Sequence, residues 1–132
     1  MRMKPCLTPD DAHKLMHACK AEAERNKWDV TIAIVDDAGY LILLERTINA
    51  TPISADVALG KARTAAITRR PTKFWEDRVK ERPVFLGYPA DLLIQGGLPV
   101  MHQKECVGAI GVSGVQSHED EQIAQAGIAA FD

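Results

Sequence analysis

The chain has 132 residues, 46% hydrophobic and 26% charged, with a formal net charge of −2 and a pI near 6.1. That balance argues against nucleic acid or an anionic membrane as the main partner. The length fits one domain over residues 1–132, large enough to bury roughly two-thirds of its unfolded surface without a staple.

No apolar run suits a signal core or a bilayer span. The three cysteines, Cys6, Cys19 and Cys106, lack CxxC spacing. Free thiols in a reducing compartment, and so a cytoplasmic location, are expected. In chain order, Thr8-Pro9-Asp10-Asp11 opens a helix. Threonine caps, proline suits the first helical position, and the aspartates complement the positive helix end. Ala12, Leu15, Met16, Cys19 and Ala23 share one face of a helix running to about Asn26.

Val30 to Val35 is a β-branched run and Tyr40 to Leu44 a second strand, joined by the turn residues Asp36-Asp37-Ala38-Gly39. Both faces of the first strand are apolar, which calls for a sheet covered on two sides. Ser54 is a candidate cap for a helix from about Ala55 to Thr68, rich in alanine and suited to close approach. Thr72 is a candidate cap for a third helix, roughly Lys73 to Lys80. Residues 83–95 read as an irregular, apolar loop, a candidate pocket wall or interface.

Leu98 to His102 and Cys106 to Val112 form a second hairpin around Gln103-Lys104-Glu105. Ser117-His118-Glu119-Asp120 reads as a capping box before a last helix. The order α-ββ-α-α-ββ-α predicts an α+β fold, a central antiparallel sheet of two hairpins flanked by helices. Five glycines fall within the second hairpin and its flanks, at 96, 97, 108, 111 and 114. Glycine at such density marks close approach of a ligand, a helix or a subunit.

Val35-Asp36-Asp37-Ala38-Gly39, Lys61-Ala62-Arg63-Thr64-Ala65-Ala66 and Arg70-Pro71-Thr72 stand in a specific order with two later runs. Those runs are Gly96-Gly97-Leu98-Pro99-Val100 and Gly108-Ala109-Ile110-Gly111-Val112-Ser113-Gly114, followed by Asp120 and Glu121. Nearly the whole chain thereby resembles the GlcG/HbpS family, which includes the C-terminal domain of PduO-type proteins. The resemblance implies a profilin-like fold, a homo-oligomer (dimer or larger), and haem or another small molecule as ligand. Two stretches depart from the family pattern: Arg46-Thr47-Ile48-Asn49-Ala50 and Gly114-Val115.

Haem iron takes an axial donor, most often histidine. His13 and His17 lie i, i+4 on the first helix, flanking its apolar face, and are the candidate metal ligands. A solvated polar edge is the alternative. Arg46, Lys61 and Arg63 would form a carboxylate clamp if they converged, with Glu45 or Asp36 as acid or base, in a catabolic isomerase, tautomerase or hydrolase. Structural pairing of Arg63 with Asp36 or Glu45, stitching helix to sheet, is the alternative. Gly96, Gly97, Gly111, Ser113 and Thr72 are the candidate ligand-binding residues of the glycine-rich wall. No nucleophile elbow, phosphate loop or dinucleotide fingerprint is present.

Overall fold

The computed structural model describes residues Met1–Phe131. Its elements are α1 (Pro9–Arg25), β1 (Thr31–Asp36), β2 (Leu41–Arg46), α2 (Ile53–Thr68), α3 (Thr72–Glu81), a 3-10 turn at Pro83–Gly87, β3 (Gly97–His102), β4 (Glu105–Ser113) and α4 (Ser117–Phe131). The order is the one expected. The four strands form one antiparallel sheet in the order β2-β1-β4-β3. The two hairpins therefore join through β1 and β4, which become the central strands.

Three layers follow from the side-chain alternation of β1. Ile32 and Ile34 face α1 and α4 in a core with Leu15, Met16, Ile110 and Ile123. Ala33 and Val35 face α2, against Ala58, Ala62, Ala65 and Ala66. The second core is built almost wholly from alanine because α2 sits very close to the sheet. A Cβ added at Gly111 would overlap the Ala58 carbonyl, and one at Gly97 would overlap the Lys61 carbonyl. Those two glycines are filled by helix backbone.

Local chemistry set the ends of α1. Thr8 and Asp11 form a reciprocal capping box, with Pro9 in the first turn. At the other end Lys27 adopts φ 59°. Its N–H bonds the Glu24 carbonyl, and the Trp28 N–H bonds the Ala23 carbonyl. This is a Schellman stop, and it folds Trp28 back over Ala23. The β3–β4 turn is tight, with Gln103 and Lys104 both at positive φ, the backbone that a two-residue hairpin favours.

Three expected caps fall elsewhere. Pro52 occupies the cap position of α2, and Ser54 lies one residue inside, bonding Thr31 Oγ1 and the Thr51 carbonyl. Thr72 is already helical, and its hydroxyl accepts from the Gly97 N–H at 2.8 Å. At α4 the Gln116 N–H donates to Glu119, while Asp120 turns inward. In each case a buried partner outbid the local cap for the side chain.

Gly111→Ala should destabilise the protein by about 1–3 kcal/mol, because the added methyl must displace helix backbone. Gly87→Ala, where no atom lies within 4 Å of the new Cβ, should stay within about 0.5 kcal/mol of the parent. Urea unfolding of the two variants measures the difference.

Candidate functional site

The edge where α1 meets β2 carries two adjoining clefts. The first is open, with a volume of ≈ 610 Å³, and is lined by His13, Lys14, Met16, His17, Ala18, Lys20 and Glu45, with Ala130 of α4. The capping box and the apolar stripe of α1 fix its rotation. Ala12, Leu15, Met16 and Cys19 point into the core, so His13 and His17 are left exposed on the flank. The second cleft is narrower, ≈ 270 Å³, and lies between the end of α1 and β2. Ala23, Val30 and Ile32 make its floor, Trp28 a wall, and Glu24, Arg46 and Thr47 its rim.

The two clefts share Lys20 and Glu45. Lys20 Nζ donates to Glu45 Oε1 at 2.8 Å. Glu45, opposite Ile32 across the β1–β2 ladder, projects to the α1 side of the sheet. Its bond to Lys20 raises the affinity of that amine for its proton. Among the described residues Arg46 makes no ion pair and no side-chain hydrogen bond.

Lys61 and Arg63 lie on α2, on the other side of the sheet, and each has its own carboxylate. Lys61 is 2% exposed, and its ammonium donates to Asp120 Oδ2 and the Val112 carbonyl, both at 3.0 Å. Arg63 is partly exposed, 3.5 Å from Asp91 and 6.0 Å from the Tyr40 ring centre. The three cations are thus distributed over three surroundings. Arg63 is paired with Asp91 rather than with Asp36 or Glu45, and Lys61 with Asp120. Glu45 joins Arg46 in the narrow cleft, without the other two.

The glycine-rich wall is occupied by the protein itself. Gly97 and Gly111 meet the α2 backbone, and Gly96, at φ 132°, lies under the Lys61 side chain. Thr72 is buried and bonded to Gly97. Ser113 closes β4 opposite Thr31. None of these five residues lines either α1 cleft. The close approach that their sequence signals is to a helix.

Sequence reasoning missed three residues here. Lys20 follows the α1 stripe by one position and gave no separate signal. Trp28 was legible in principle, as the apolar residue two places beyond the helix cap of a Schellman stop. Asp120 was read as a cap residue. Its real role is to hold Lys61 and to accept from the Val115 N–H at 3.2 Å. Burial pushes its carboxyl above the ordinary aspartate range, while the Lys61 ammonium pulls it back. Burial also pushes the Cys19 thiol up to about 12 and raises that of Cys106, so both are poor nucleophiles.

A family model described as haem degrading protein HbpS-like matches residues 7–129. Protein GlcG of Escherichia coli (strain K12) is 40% identical over 114 residues, 86% of this chain and 85% of that protein. An HbpS double mutant from Streptomyces reticuli superposes with a TM-score of 0.92 at 34% identity, over 100% of this chain and 91% of the other. A complex described as PduOC with haem superposes with a TM-score of 0.87 at 28% identity, over 96% and 95% of the two chains.

The buried pair gives a signed expectation. Removing only the cation, in Lys61→Met, should cost about 3–5 kcal/mol near neutral pH because a buried carboxylate loses its partner. Asp120 binds its proton more tightly folded than unfolded, and more so without Lys61. Its stabilising contribution is therefore fullest below about pH 4, the ordinary aspartate range, and is lost as pH rises through the raised folded value. The gap between Lys61→Met and the parent should narrow on acidification. The double variant Lys61→Met/Asp120→Leu should regain most of the loss. Urea midpoints from pH 7 down to about pH 4 test both points.

Proposed function

The chain belongs to the family described as haem degrading protein HbpS-like, and on that premise we propose that it binds haem, or a planar ligand like it, in the open cleft on α1. The observation that carries this reading is the pairing of His13 and His17 in one cleft with an apolar floor and lysines on its rim. Ala18 is half-buried in this cleft and offers apolar surface to the face of a macrocycle. Lys14 stands where it can meet an acidic substituent, while Lys20 is held by Glu45. Both imidazoles are exposed, and neither is tied to another side chain among the described residues, so a nitrogen is available to a metal.

The donor set fits haem, whose iron takes a neutral imidazole nitrogen readily and whose ring is apolar on both faces. Bound haem would supply a redox-active iron. His13 or His17 would hold its iron, Ala18 would meet the apolar ring and Lys14 an acidic substituent. That a solved PduOC structure of the same fold holds haem and the family description names haem supports the choice of ligand.

An open cleft covers one face of such a ligand. The proposal therefore includes a homo-oligomer in which a second copy shields the other face. Leu41, Ile53, Val84 and Leu86, exposed apolar side chains that do not line this cleft, supply further surface for association. No helix is long and apolar enough to cross a membrane among the described residues.

Haem titration should produce a saturable Soret band. His13→Ala/His17→Ala should weaken binding by about tenfold or more and shift or abolish that band, since a metal–imidazole bond is lost. A double variant that binds with the parent's affinity and spectrum would remove α1 as the source of the iron ligand. The single variants identify which histidine carries it.

A further inference from the structure

We infer that the Trp28 cleft is a second binding site, for a small planar aromatic monocarboxylate, separate from the histidine cleft. Size is the first argument. At ≈ 270 Å³ the cleft lies just under the range of about 300–1,000 Å³ that accommodates drug-sized ligands. It has room for one ring system and its substituent.

The walls define the body of the ligand. Val30, Ile32 and Ala23 are each 3% exposed or less and form an apolar floor. Trp28 stands beside them, held by the Schellman stop of α1 rather than by a flexible loop. A preformed indole wall over an aliphatic floor favours a flat aromatic ring.

The rim defines the charge. Arg46 lines the cleft and has no anionic partner within the chain among the described residues, whereas Lys20 is committed to Glu45. A guanidinium with free donors binds a planar carboxylate through two parallel hydrogen bonds. Glu24 and Glu45 lie on the same rim. Lys20 answers the charge of Glu45, but Glu24 has no ion-pair partner among the described residues and would repel a second negative charge on the ligand, which restricts the class to monocarboxylates.

The test uses the whole protein with benzoate, nicotinate and terephthalate as probes, in the absence of haem. The sequence holds two tryptophans, so Trp75→Phe leaves Trp28 as the sole tryptophan emitter. Trp75 Nε1 bonds Thr68 Oγ1, and that variant tests the parent fold too. The indole N–H resonance of Trp28 in the parent, assigned through Trp28→Phe, gives the same reading without it.

Benzoate or nicotinate should shift the Trp28 signal saturably, and Arg46→Gln, an exposed position, should weaken binding by about tenfold or more through loss of a charged hydrogen-bond pair. Terephthalate, with its second carboxylate, should bind about tenfold more weakly than benzoate. No saturable change with either monocarboxylate overturns the site. Unchanged affinity in Arg46→Gln overturns the anion assignment, and equal binding of terephthalate overturns the monocarboxylate class. Because haem is absent throughout, failure here leaves the histidine cleft untouched, and failure of the haem titration leaves this cleft untouched.

Discussion

The approach of α2 to the sheet is the contact on which the other elements depend. Gly97 and Gly111 have no side chain, and Ala58 and Ala62 present only methyls, so helix and strands meet backbone to backbone. An interface that thin contributes little apolar area per residue. The larger side chains are therefore gathered on the opposite face, under α1 and α4. Close approach also brings Lys61 into the sheet layer, where its charge must be met inside the protein. Asp120 at the start of α4 meets it, and that bond ties the two helical layers together at one end of β4. A buried pair of this kind is weak evidence for net stability but fixes which carboxylate faces which amine.

With α2 packed this closely on one face, two adjoining clefts open on the α1 side. The glycine-rich strands, the part of the sequence with the clearest signature, are consumed in building the scaffold. The clefts form instead where α1 ends and β2 runs out to the sheet edge. There the capping chemistry of a single helix matters most. Its N-terminal box fixes the rotation that exposes His13 and His17, and its C-terminal stop places Trp28. Lys20 and Glu45 stand between the two clefts and hold the helix to the strand.

Much of the fold was legible because local and long-range signals agree along the chain. The apolar stripe of α1, the two-faced β1 and the turn at Asp36–Gly39 each point one way, and the element order followed. The strand order β2-β1-β4-β3 was not legible, since nothing local says which strands of two hairpins become neighbours. The caps at Ser54, Thr72 and Ser117 misled for one physical reason: a hydroxyl or carboxylate reads as a cap in sequence even when a buried partner holds it. For the sites, the i, i+4 histidines were visible from helical spacing. The dispersal of Arg46, Lys61 and Arg63 was not, because sequence separation does not say which face of a sheet a residue serves.

The separation of scaffold from site is the central claim, and amide chemical-shift mapping during titration with gallium protoporphyrin, a diamagnetic haem analogue, tests it most directly. The prediction is a contiguous set of shifted amides in α1 from His13 to Lys20 and in β2 near Glu45, with Gly97, Gly111 and the alanines of α2 unmoved. Shifts confined to Gly96–Gly97, Gly111–Gly114 and α2, with α1 silent, would contradict it. They would mean that the glycine-rich wall opens to ligand after all.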